Sequence, residues 1–168
     1  MSIDAAPLVA AAFAPFGQVI EAGGASSAAN QGRAARFDAP VDLAVSDARV
    51  PRLHAAIYRI RASASPFELK LVERHPLSPQ LFFPNRAGRF LVCACPDLPD
   101  GSPDLARLAA FIGALSQGIV WRRGVWHAPF VALDADADFL MQQWQGAGPL
   151  DCEERPLDQP ILVHVPPP

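Results

Sequence analysis

The stretch FELKLVERHPLSPQLFFP, residues 67–84, decides the fold. Phe67, Leu69 and Leu71 alternate with Glu68 and Lys70, the period of two that marks a strand with one buried face. Glu73 and His75 continue on the apolar parity, so the same strand carries a carboxylate and an imidazole toward an interior. Neither group is buried cheaply without a partner. Pro76 and Pro79 then break the chain, and QLFFP (80–84) resumes as a second strand. The pair Glu73/His75 is either a structural pair that fixes the strand or the start of a polar site inside a barrel.

Outward from this segment, the pattern of short apolar runs between breakers repeats. The chain holds 18 prolines and 11 glycines in 168 residues. FGQVIEA (16–22), LHAAIYRIRA (53–62), GRFLVCACP (88–96), GIVWRRGVWHAPFVAL (118–133, broken at Gly124), DFLMQQW (138–144) and ILVHV (161–165) all read as strands. In 53–62, Ala55, Ile57 and Arg59 share one face, and Ala56, Tyr58 and Ile60 the other. GGASSAAN (23–30) reads as a flexible loop. SPDLARLAAFI (102–112) opens with Ser102, Pro103 and Asp104, a helix start signal, and predicts one short helix near 103–109. The expected fold is mainly all-β, an antiparallel barrel with one or two short helices, as a single domain over 1–168.

Composition narrows the function classes. The hydrophobic share of 51% supports a packed core, and the net charge of −3 lacks the basic surplus of a nucleic-acid binder. No apolar run approaches the roughly 20 residues of a membrane span. Asp4, Pro7 and the lack of a basic leader argue against a signal peptide and for a cytoplasmic protein. Cys93 and Cys95 lie two apart on one strand and Cys152 is remote, so three reduced thiols are expected rather than a disulfide or a zinc site.

A second polar constellation lies in GIVWRRGVWHAP (118–129), where His127 follows Gly124 by three residues between Trp121 and Trp126. Glu73 and His75 two apart, Gln80 shortly after, and Gly124 with His127 resemble the two ligand motifs of cupins, with Glu73 and Gln80 in place of the usual histidine and glutamate. These four side chains are expected to converge in one cavity. There they serve either as a divalent-metal site or as a metal-free acid–base set.

Over most of its length the chain also resembles the ureidoglycolate lyases of allantoin degradation, in purine catabolism. FAPFGQVIE (13–21), ANQGRAARFD (29–38, with Asn30, Gly32 and Arg36), Arg59, ERHPLSPQLFFP (73–84), PDLARLAAFI (103–112), QGIVWRRGVWHAP (117–129) and DCEE (151–154) follow in the family's order. The resemblance implies cleavage of ureidoglycolate to glyoxylate and urea, a homodimer, and a divalent metal such as nickel. Within that frame Glu73 is the candidate base, with His75 and His127 as acid or ligands. Arg36, Arg59, Lys70, Gln80 and Arg122 are candidate substrate contacts, since a guanidinium can grip a carboxylate with two bonds. Four positions depart from the family pattern: Arg122 and Ala128 stand where histidines are usual, and Gln143 and Trp144 near an Asp–Arg pair. The rival functions are a related lyase or isomerase on another small hydroxy acid or amide, and a non-catalytic ligand-binding cupin.

Overall fold

A computed structural model describes residues 1–86, 88–146 and 151–168. In chain order its elements are β1 (Ser2–Asp4), β2 (Ala6–Pro7), α1 (Ala10–Phe13), β3 (Gly17–Glu21), β4 (Ser27–Ala29), β5 (Ala34–Arg36), β6 (Arg52–Ile60), β7 (Phe67–Arg74) and β8 (Gln80–Arg86). They continue as β9 (Phe90–Cys95), β10 (Ala109–Gly113), β11 (Gln117–Trp121), β12 (Trp126–His127), β13 (Val131–Ala132), β14 (Ala137–Gln145) and β15 (Glu153–His164). The larger sheet runs β1-β15-β7-β12-β9-β10-β2, with β13 also on β9. The smaller runs β3-β11-β8-β14-β6. Their faces enclose a nearly closed, mainly antiparallel barrel; among the described residues the parallel strand pairs are β1 on β15 and β2 on β10, with a parallel bridge between Ala62 and Ala132. This is the cupin-like architecture the strand pattern implied.

Strand β9 shows why the barrel holds together. All six residues of FLVCAC are buried. Phe90, Val92 and Ala94 pack inward with Phe13, Phe82, Phe111, Ile119 and Phe139. Leu91, Cys93 and Cys95 pack on the opposite face with Leu69, Val72, Trp126 and Val163. A strand covered on both sides needs an unbroken apolar run rather than alternation, which is what 90–95 supplies. All three cysteines are free. Among the described residues no helix is long and apolar enough to cross a membrane.

Two expectations are corrected. The helix near 103–109 is only a 3₁₀ turn at Leu105–Arg107, and Ala109–Gly113 is strand β10, paired with β9. Sheet pairing on a fully buried neighbour outweighs a start signal that has only one turn behind it. The one α-helix among the described residues is instead α1, whose Phe13 is fully buried against Phe111 and Trp121. The stretch 23–30 is also not all loop: Ser27–Ala29 pairs with Ala34–Arg36 as a separate two-stranded hairpin.

Strand β7 carries a subtler difference. Phe67 and Leu69 pack in the outer cluster, yet so does Val72, of the opposite parity. The facing strand β15 skips from Pro156 to Ile161 between its partners Leu71 and Leu69. This irregularity turns the strand, so Glu73 reaches the barrel interior although Leu69 does not.

Candidate active site

The site is built from two cross-strand rows that face each other. On the larger sheet His127 is directly opposite Glu73, with Glu154 on the far side of Glu73. On the smaller sheet Gln80 lies between Gln143 and Trp121. Directly opposed residues share a face, so each row presents its side chains together. Between the rows lies a cavity of about 510 Å³, lined by Glu73, His75, Gln80, His127, Gln143 and Cys152 along with Tyr58, Trp121, Trp144 and Asp151.

The turn that carries His127 is fixed by Gly124. Its φ of 79° is a left-handed conformation that glycine adopts without strain, and its N–H donates to the His75 carbonyl at 2.9 Å. One hydrogen bond thus ties the two histidine-bearing segments together, and the imidazole centroids lie 5.4 Å apart. His127 is stacked on Trp121 at 4.6 Å with the ring planes 18° apart.

Both imidazoles turn the same nitrogen to the cavity. The His75 Nδ1 lies 2.6 Å from the Asp151 carbonyl oxygen, and the His127 Nδ1 lies 2.8 Å from that of Val125. A carbonyl only accepts, so each Nδ1 carries the proton and each Nε2 keeps its lone pair. Both Nε2 atoms are buried with no hydrogen-bond partner among the described residues. The His127 Nε2 is 3.8 Å from the Glu73 Oε1, and ligating atoms of Glu73, His75 and His127 all lie within 4.8 Å of one another. Two orphaned imidazole lone pairs beside a carboxylate fit a divalent ion.

Burial pushes the Glu73 carboxyl up, an effect opposed by His75 and reinforced by Glu154. It pushes His127 down to about 3, with His75 adding to the shift and the Val125 carbonyl resisting it. At neutral pH His127 is therefore uncharged. The Cys152 thiol, 3.9 Å from the Glu73 Oε2, is raised to about 11 by burial and by the neighbouring carboxylates, Glu73 foremost, so it is a protonated donor rather than a nucleophile.

Behind these groups is a polar brace. The Gln80 Nε2 donates to the Gln143 Oε1 at 3.1 Å, and the Asp151 carboxylate accepts from the Leu77 N–H at 2.6 Å and from the Ser78 hydroxyl. Asp151 was not identified from the sequence, because DCEE carries no periodic signal and its partners lie more than 70 residues earlier. Cys152 is read from the sequence only as a remote reduced thiol and as part of the resemblance.

Of the residues singled out from the sequence, Glu73, His75, Gln80 and His127 come together. The four cationic substrate contacts do not line this cavity. Arg59 faces outward and binds Asp138 through two bonds, of 2.8 and 3.0 Å. Lys70 is exposed and paired with Glu68 at 2.7 Å. Arg122 donates to the Pro15 and Ala14 carbonyls and so fastens the turn before β3. Arg36 stands on the hairpin and pairs with Asp38. Alternation explains Arg59, which has the parity opposite to the cavity-lining Tyr58 and Ile60. Among the departures from the family pattern, Gln143 and Trp144 line the cavity, whereas Ala128 is buried in the outer cluster.

Solved structures of similar shape include a dTDP sugar isomerase from Desulfovibrio desulfuricans (TM-score 0.48, 19% identity, 86% of this chain and 87% of that one). Another is a dTDP-6-deoxy-D-glucose-3,5-epimerase from Legionella pneumophila (TM-score 0.49, 16% identity, 89% and 82%). Sequence relatives are much nearer. A ureidoglycolate lyase from Azotobacter vinelandii is 39% identical over 163 residues, 95% of this chain and 96% of its own. One from a Chelativorans species is 39% identical over 167 residues, 98% and 97%. The family model described as ureidoglycolate lyase matches residues 1–164. With a match of that extent, the chain belongs to the ureidoglycolate lyase family, enzymes that break a carbon–nitrogen bond.

Proposed function

We propose that the cavity cleaves ureidoglycolate to glyoxylate and urea. The observation that carries this reading is the Glu73 carboxylate, with its pKa raised, set against two imidazole lone pairs in a pocket sized for a small molecule. The reaction moves one proton from the substrate hydroxyl to the departing urea nitrogen. Glu73 takes the hydroxyl proton; the C–O electrons close to a carbonyl as the C–N pair leaves on nitrogen; the Glu73 carboxyl then returns the proton to that nitrogen. A carboxyl with a raised pKa suits both halves of such a transfer. His127, held neutral, accepts a hydrogen bond rather than acting as the acid, and the Cys152 thiol steadies the second oxygen of Glu73. Gln80 and Gln143 present amide groups matched to a ureido group. A divalent ion, nickel in keeping with the family resemblance, would be held by Glu73, His75 and His127 and would supply positive charge near the substrate hydroxyl.

The direct test is purified protein with ureidoglycolate, following glyoxylate and urea together. Equimolar release supports the reading. Tight binding without release would favour a ligand-binding role, and turnover confined to a different hydroxy acid or amide would favour a related lyase or isomerase.

A further inference from the structure

The cavity lacks a group its substrate needs. Ureidoglycolate carries a carboxylate, yet among the described residues no lysine or arginine lines the cavity. Its lining carries carboxylates of its own, Glu73 and Asp151, with Glu154 paired across the strand from Glu73. An anion entering such a site needs a cation from elsewhere.

Two further features lack partners within the chain. Among the described residues strand β6, nine residues long and mostly exposed, pairs only with β14 and forms an open edge of the smaller sheet. Tyr58 and Ile60 on this strand line the cavity, so whatever covers the edge lies beside the mouth. On the outer face Ile57, Leu140 and Phe83 form one cross-strand row, 56%, 37% and 37% exposed. Long exposed edges and apolar rows of this kind are usually covered by another chain. The second feature is the β4–β5 hairpin. Among the described residues its strands pair only with each other, and its side-chain hydrogen bonds stay within residues 30–38. It is also basic: Arg33 is tied to the turn through the Asn30 carbonyl and the Gln31 amide, while Arg36 lies on β5. Arg36 is paired only with Asp38, and both are about two-thirds exposed at 67% and 65%. An exposed pair of this kind is weak and readily exchanged for a desolvated carboxylate.

We infer that a second copy of this chain completes the site: its β4–β5 hairpin lies along the open edge of β6 and brings Arg36 to the cavity mouth as the cation for the substrate carboxylate. The identity of that carboxylate rests on the ureidoglycolate reading; the pairing of the two chains does not.

The experiment uses two full-length variants, Arg36→Ala and Glu73→Gln, assayed alone and as a mixed dimer isolated through two different tags. Each alone loses turnover, and Arg36→Ala lowers kcat/KM by about 10- to 100-fold, as removal of a charge-assisted contact does. The mixed dimer recovers half the wild-type turnover, because one of its two sites combines an intact Glu73 with an intact partner arginine. No recovery places Arg36 in its own chain's site and overturns the inference, as does an Arg36→Ala chain with full activity. If the wild type does not cleave ureidoglycolate, the functional reading fails separately, and two other readouts decide. Light scattering should give a mass near twice 18.0 kDa, with β6 edge amides protected from exchange. Glyoxylate, used as a carboxylate probe, should bind Arg36→Ala at least about tenfold more weakly than wild type. A single-chain mass, or unchanged glyoxylate binding, overturns it.

Discussion

Glu73 and His127 respond to burial in opposite senses, and their substitution should show it. The Glu73 pKa is raised above its ordinary 4.5, so the folded state holds that proton more tightly than the unfolded chain. The stability this confers is complete below pH 4.5 and is lost as pH rises through the folded value. Glu73→Gln, which stays neutral, should therefore match the wild type in thermal midpoint near about pH 4 and equal or exceed it near about pH 8. Turnover should fall by about 100-fold or more, the usual loss for a proton-transfer group. A large drop in midpoint at neutral pH would instead make Glu73 a structural residue. His127 has its pKa lowered from 6.5 to about 3, so its share of stability is present above 6.5 and is lost as pH falls toward about 3. In His127→Gln, denaturant midpoints measured across that window should fall less steeply than in the wild type. The grouping of Glu73, His75, Gln80 and His127 was legible in the sequence because short spacings are local. The outward turn of Arg59 was not, because it differs from the cavity-lining Tyr58 and Ile60 only in which way the strand faces.

Parity itself depends on the elements. Counting by twos from Phe67 puts Glu73 and His75 on the face of Phe67 and Leu69, which is the outer one in the structure; Glu73 comes inside because the count passes through an irregularity where β15 skips from Pro156 to Ile161. A shift of this kind comes from a strand more than 80 residues away and leaves no mark on 67–75. The same limit explains the missing helix: the start signal at Ser102–Asp104 is genuine chemistry, but Ala109–Gly113 is claimed by β9. Gly124, by contrast, was legible, since a glycine between two strand-like runs asks for a turn. Its φ of 79° and open surroundings isolate the backbone effect. Gly124→Ala should cost about 1 kcal/mol or slightly more, from the left-handed conformation alone. Because the Gly124 N–H also holds the His75 carbonyl, KM should rise along with the fall in denaturant midpoint. A fall in midpoint with unchanged kinetics would show that the turn does not position the histidines.

At the scale of the whole molecule, the outer face of the smaller sheet separates a chain that works alone from one that works in pairs. Ile57, Leu140 and Phe83 lie in one row, and the row ends at Gly118, where an added Cβ would come within 2.3 Å of the Phe83 ring. The ring is therefore seated in a gap that only glycine leaves, and the row presents a continuous apolar strip next to an unpaired edge. Burying such a strip stabilises association at roughly 25 cal/mol per Å², and a carboxylate placed in it would have to be desolvated without a partner. Ile57→Glu is accordingly expected to reduce the mass measured by light scattering from near twice 18.0 kDa to near 18.0 kDa. Ile57 is 56% exposed in the single chain, so the fold of each barrel should survive, with a far-ultraviolet spectrum like that of the wild type. If the partner hairpin completes the cavity, turnover should fall along with the mass, and raising the protein concentration should restore both together. An Ile57→Glu chain that stays paired at low concentration would place the interface on another face. One that becomes single yet keeps full turnover would show that each barrel works alone.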